Sequence, residues 1–223
     1  MSFGTQIGWK FHEDGTAARY PGNTVIADVC PGNRAYDVMT TCLQMLKDAH
    51  VDKLFIQLPQ DSYHMTVIRG VNDLVRDQAY WPACLPLDAA MDAADAYMHD
   101  AVESVKNPGS IRMRFDCAVI TEEDFRIRLV PADDAQAEVL RKYRDAVADA
   151  VGLRLPGHDA YKYHMTLAYT WYLPDGNEKE TLSALQKRMN DLLARQQEVV
   201  IDPPHFAWYR DMLSFSAVSI PRD

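Results

Sequence analysis

Two stretches of this chain carry the same residues in the same order. Tyr63-His64-Met65-Thr66-Val67 returns as Tyr163-His164-Met165-Thr166-Leu167, with the two histidines one hundred positions apart. Each stretch sits in a run of β-branched, aromatic and aliphatic residues of the kind that forms strands. Residues i and i+2 of a strand face the same side, so His64 projects with Thr66 and His164 with Thr166. Tyr63, Met65 and Val67 project the other way, and Tyr63 and Tyr163 read as core. Histidine titrates near neutrality, so one imidazole of a pair can accept a proton while the other donates one. An imidazolium also supplies the positive charge that a phosphoryl transition state requires. The threonine hydroxyls can donate to non-bridging phosphate oxygens. Such a set needs no metal and no organic cofactor.

Other chemistries fit less well. A single His-x-Thr on a strand is more often a hydrogen-bonded structural histidine than a catalyst; two copies at matching places reverse that weighting. Zinc sites favour His-x-His or His-x-x-x-His spacing with a third Cys, His or carboxylate ligand, and threonine is a poor ligand. No Gly-x-Ser-x-Gly elbow and no glycine-rich phosphate loop occurs. His12, His50, His99, His158 and His205 have no such symmetry and read as surface or structural residues.

Several elements must position the motifs. Residues 1–23, rich in turn formers, read as an irregular N-terminal arm. A strand is expected over Thr24–Val29, then a helix from the Asn33 cap to about Ala49, and a strand over Leu54–Leu58. The first motif strand then runs to Arg69. Val71, Leu74 and Val75 suggest a short helix that Trp81-Pro82 ends. A helix over Asp88–Val105 stops at Asn107-Pro108-Gly109. Ile111–Ile120 and Phe125–Val130 read as paired strands, and Pro131 as the opening of a helix to Val151, stopped by Gly152. The second motif strand covers Lys162–Trp171, followed by a helix from Asn177 to about Gln197. His205–Tyr209 and Leu213–Ile220 close the chain as a hairpin-like pair. Each half thus gives strand, helix, loop and His-x-Thr strand, the pattern of a duplication.

At 223 residues, 48% hydrophobic and 25% charged, the chain has the size and composition of one globular domain spanning 1–223. A net charge of −9 argues against gripping long nucleic acid by its phosphates. A small phosphate ester or an RNA terminus needs only a local positive site. No export signal and no membrane-length apolar run is legible, so a cytoplasmic location is expected. Cys30, Cys42, Cys84 and Cys117 form no Cys-x-x-Cys pair and read as reduced, mostly buried thiols.

Paired His-x-Thr motifs on strands, separated by roughly half the chain, resemble those of the two-histidine (2H) phosphoesterase superfamily, the LigT-like and cyclic-phosphodiesterase-like enzymes. The extended motif His64-Met65-Thr66-Val67-Ile68-Arg69-Gly70, with Pro21-Gly22-Asn23-Thr24, looks most like its DUF1868-like branch. The resemblance implies an α+β, duplicated two-lobe fold whose mainly antiparallel sheets open as a central cleft, with helices on the outer faces. It implies His64, Thr66, His164 and Thr166 as catalytic residues of a metal-independent hydrolase acting on a 2′,3′-cyclic phosphate or related small phosphodiester. A non-catalytic sensor that captures a phosphorylated metabolite in the same cleft is the alternative. Arg69 and Tyr169 each lie five residues beyond a motif histidine. They are weaker substrate-binding candidates, because strict alternation turns them away from the site unless the strand bulges.

Overall fold

Helices begin where the chain supplies an acceptor for their first free N–H groups. The Asn33 side chain accepts from Ala35 N at 2.9 Å to start α1 (Arg34–Asp48), and Asp133 accepts from Gln136 N at 2.8 Å to start α3 (Asp134–Val151). Asp175 and Glu178 form a reciprocal capping box at α4 (Gly176–Leu193). α2 (Met91–Glu103) lacks a side-chain cap. Gly152 ends α3 at φ 66°, a left-handed conformation that glycine adopts without a Cβ clash.

The computed structural model describes residues 2–220. Its strands are β1 (Gly22–Asp28), β2 (Phe55–Gln57), β3 (His64–Asn72), β4 (Ile111–Ile120), β5 (Asp124–Pro131), β6 (His164–Thr170), β7 (Val199–Ile201), β8 (His205–Tyr209) and β9 (Phe215–Ser216). They form two antiparallel sheets, ordered β3-β1-β8-β9 and β2-β6-β5-β4-β7. β1 lies between β3 and β8 as β5 lies between β6 and β4, so the motif strands hold equivalent places. Hydrogen bonds repeat with the same one-hundred-residue offset: Val29 N donates to Tyr63 O at 2.9 Å and Leu129 N to Tyr163 O at 2.9 Å. α2 packs with α3 and α1 with α4, on the outer side of the sheets. The fold is α+β, with two curled sheets facing a shared cleft. Among the described residues no helix is long and apolar enough to cross a membrane.

Several expectations need correction. No helix forms over Val71–Val75, because pairing with β1 carries β3 on to Asn72, which faces Gly22; the short helix that ends at Trp81 is a single 3-10 turn, Gln78–Tyr80. Tertiary pairing overrides the weak local periodicity there. The following segment is held by side chains: Arg76 lies over the Trp81 ring at 4.5 Å and donates to the Leu87 and Ala89 carbonyls. Pro131 ends β5 and does not open α3; the capping acceptor is Asp133. β7, a three-residue run on the sheet edge, was too short for periodicity to reveal. The closing strand shrinks to Phe215–Ser216, because the Ser216 hydroxyl donates to Val218 O at 2.8 Å and turns the chain. Of the thiols only Cys42 is buried; Cys30 and Cys84 are exposed and Cys117 is half-buried.

The segments Pro21–Thr24 and Ile68–Gly70 meet where β1 crosses β3. The buried Asn23 side chain accepts from Val71 N at 3.1 Å and donates to Asp95 Oδ1 at 2.8 Å. A Cβ on Gly70 would lie 2.0 Å from Asn23 Oδ1 and 2.4 Å from Asn23 O. Gly70→Ala is therefore expected to destabilise the fold by about 1–3 kcal/mol, the usual range for overpacking. Chemical denaturation measures this, and an unchanged midpoint would show that the crossing is looser than described.

Candidate active site

The two motif strands present matched rungs to one cleft. His64, Thr66 and Arg69 on β3 lie across from Asp28, Ile26 and Thr24 of β1. His164, Thr166 and Tyr169 on β6 lie across from Arg128, Arg126 and Asp124 of β5. Each strand slips its register just after the threonine: consecutive residues 26 and 25 face 66 and 68, and 126 and 125 face 166 and 168; β3 slips a second time farther on, between Arg69 and Asn72. One extra residue, Val67 or Leu167, is thus inserted as a bulge, which reverses the alternation beyond it. That is why Arg69 and Tyr169 line the cleft together with the histidines and threonines. All of the side chains singled out from the motifs border one cavity of about 290 Å³. Tyr63 and Tyr163 are buried on the other side.

Backbone carbonyls fix both imidazoles. His64 Nδ1 donates to Ser62 O at 2.7 Å, and His164 Nδ1 donates to Lys162 O at 2.9 Å. A carbonyl can only accept, so Nδ1 carries the proton and Nε2 is left free to exchange one. The hydroxyls of Thr66 and Thr166 make no hydrogen bond to protein groups among the described residues. Burial disfavours the charged form of both histidines. It pushes His64 down from the usual 6.5 to about 4, against the raising effects of the Ser62 carbonyl and Asp28. His164 is also lowered, by burial first, then by the nearby Arg126 and Arg128. The histidines are close enough that a charge on His164 further depresses protonation of His64.

The symmetry is broken around the rungs. His205 Nε2 donates to Asp28 Oδ2 at 3.0 Å, and His205 Nδ1 faces Phe206 O at 3.0 Å. With an acceptor at each ring nitrogen, His205 is raised above the ordinary imidazole value, and Asp28 is lowered by the His205 hydrogen bond. His64 therefore lies across from a carboxylate already paired with a histidine, whereas His164 lies across from a guanidinium. The Phe215 ring packs on His64 with centroids 4.3 Å apart.

Other contributors were not singled out from the sequence. The N-terminal arm is pinned to one sheet by Gly4 N on Trp171 O at 3.0 Å and to the other by Tyr20 N on Arg210 O at 2.7 Å. Between these anchors it brings Lys10 and Tyr20 to the cavity wall. Nothing local marks Lys10, since its place depends on the path of an irregular segment. Asp145, His158 and Asp159 have ligand-type atoms within 4.8 Å of one another. Arg154 already bridges both carboxylates there, at 2.9 and 3.1 Å, so a guanidinium holds the place a metal cation would take.

A family model named 2H-phosphodiesterase and described as a domain of unknown function (DUF1868) matches residues 10–123. The crystal structure of a conserved protein of unknown function from Agrobacterium tumefaciens strain C58 superposes with a TM-score of 0.86. That protein is 25% identical, and the match covers 99% of this chain and 94% of that one. Apo LigT from E. coli gives a TM-score of 0.48 at 9% identity, over 91% of this chain and 96% of that one. No curated protein matches the sequence.

Proposed function

The chain belongs to the DUF1868 family of 2H phosphodiesterases, and from that premise we propose that it hydrolyses a 2′,3′-cyclic phosphate or a related small phosphodiester. His64 and His164 act as a general acid–base pair without a metal. One neutral Nε2 takes a proton from the attacking water as its oxygen bonds to phosphorus. The other, protonated, gives its proton to the ester oxygen as the phosphorus–oxygen bond breaks, leaving a monoester. Thr66 and Thr166 donate to the non-bridging oxygens, where charge accumulates. The observation that carries this reading is the matched pair of Nδ1-to-carbonyl bonds, 2.7 and 2.9 Å, which leaves two equivalent Nε2 atoms free at one cavity.

The test is hydrolysis of 2′,3′-cyclic nucleotides in the presence of a strong chelator. Turnover that survives the chelator supports the reading. Binding without turnover across a panel of esters would point instead to a phosphometabolite sensor. A turnover abolished by the chelator and restored by a divalent metal would overturn the metal-independent mechanism.

The lowered histidines set the expected pH dependence. The kcat/KM profile reports the free enzyme, in which burial takes the pair below 6.5. The protonated partner is therefore lost earlier as pH rises, and the maximum falls on the acid side of 6.5. A bound phosphodiester anion favours an imidazolium, so the kcat profile should lie at higher pH. The apparent values belong to the coupled pair and not to either residue. Profiles of both parameters check this; a kcat/KM maximum above neutrality would contradict the burial effect.

A further inference from the structure

The cleft continues beyond the threonines, and the chemistry changes there. Thr66 and Arg69 face residues of β1 that are two positions apart, as Thr166 and Tyr169 do on β5. With a rise of about 3.3 Å per residue, the outer rung lies roughly 7 Å from the threonine rung. Lys10 reaches the outer rung from the N-terminal arm. Its Nζ lies 5.2 Å from the centre of the Tyr169 ring and 5.5 Å from that of Tyr20.

Lys10 is held there without a counter-ion: no ion pair or side-chain hydrogen bond engages its ammonium among the described residues. The nearest carboxylates are already engaged. Arg126 donates to Asp124 at 2.5 Å and to Glu123 at 3.1 Å. Arg69, on the same rung, spends one donor on Pro156 O at 3.3 Å and remains exposed to the cleft. Burial lowers the Lys10 pKa, against the raising effect of the Glu123 and Asp124 carboxylates, and the Arg126 and Arg69 charges add to the lowering. An incoming anion reverses both lowering influences. A desolvated lysine flanked by aromatic faces and a guanidinium is a receptor for a charged oxyanion.

We propose that the outer rung, Lys10 with Arg69, is a second anion subsite that selects esters bearing an additional phosphate about 7 Å from the reacting one. This rests on the phosphodiesterase reading and narrows its substrate class. In a nucleotide, the 5′-phosphate would occupy the outer rung while the 2′,3′-cyclic phosphate meets the histidines. The arm then acts in specificity, since it delivers the lysine.

The experiment compares adenosine 2′,3′-cyclic phosphate with its 5′-phosphorylated form, using the full chain. The expected result is a preference of about 10- to 100-fold in kcat/KM for the 5′-phosphorylated ester, the range of one charge-assisted contact. Lys10→Met should reduce that ratio to within a few-fold, and Lys10→Arg should retain most of it. A wild-type ratio near one, or a preference that survives Lys10→Met in a folded protein, overturns the subsite. If neither ester is hydrolysed, the hydrolytic reading fails separately, and calorimetry decides the subsite. Adenosine 3′,5′-bisphosphate should then bind about tenfold tighter than adenosine 3′-monophosphate, with the difference lost in Lys10→Met. Equal affinities, or binding of neither compound, overturn the proposal.

Discussion

Replacing either His64 or His164 with alanine is expected to lower kcat/KM by about 10²–10⁴-fold, the usual contribution of general acid–base catalysis. The two losses should be of similar size, because the histidines hold equivalent positions. Each has its Nδ1 on the carbonyl two residues back, at 2.7 and 2.9 Å, and each lies beside a threonine on the same face. The double variant should lose far less than the product of the single losses. Once one proton transfer is gone, the other no longer has a concerted partner to assist. Thr66→Val and Thr166→Val should each cost about 1–3 kcal/mol of transition-state stabilisation through one lost phosphate hydrogen bond. Steady-state kinetics on the four single variants and the double one make the measurement, with thermal melts to confirm folding. Full activity in a well-folded His64→Ala or His164→Ala would remove the paired mechanism and leave the repeat as a relic of duplication.

The histidines and threonines were legible because identity and spacing repeat, and because a period of two survives in the flanking residues. Arg69 and Tyr169 were less so. The bulges that turn them inward insert Val67 and Leu167 next to Ile68 and Ala168, all of them apolar and buried. An extra apolar residue between apolar neighbours leaves no mark in the hydrophobic pattern, although it reverses every side chain beyond it. Asp28 and His205 come together only because β1 is inserted between β3 and β8, a pairing across most of the chain length. Lys10 depends on backbone bonds that tie an irregular arm to both sheets. Capped helices, by contrast, were readable to within a few residues, since Asn33 and Gly152 act locally. Local chemistry was readable; consequences of long-range pairing were not.

Arg144→Met is expected to destabilise the protein by about 2–5 kcal/mol and to impair turnover, though Arg144 borders no part of the cleft. Its side chain leaves α3 and is almost wholly buried. One guanidinium nitrogen donates to Val67 O, the carbonyl of the bulged residue itself, and another donates to His158 O at 2.8 Å. The guanidinium lies over the Tyr161 ring at 4.3 Å, and the Tyr161 hydroxyl donates to Thr66 O at 3.2 Å. The two carbonyls that flank the bulge of β3 are thus held by residues from the second half of the chain. On β6 the corresponding Leu167 O is met by Leu58 N at 2.9 Å, so each bulge is braced from the opposite half. Methionine keeps much of the buried volume but leaves two carbonyls unpaired, at about 1–3 kcal/mol each. For a chain of this size, that lowers Tm by roughly 5–20 °C. A relaxed bulge would also displace Thr66 and Arg69, and a shift near 1 Å can cost about 10²-fold in rate. Arg144→Lys keeps the charge but not the planar fork, and should fall between the two. Calorimetry and kinetics well below Tm separate the effects: a loss of kcat in fully folded Arg144→Met marks the bulge as a positioning element. A Tm within about 1 °C of the parent protein would mean that the bulge holds its shape without the guanidinium.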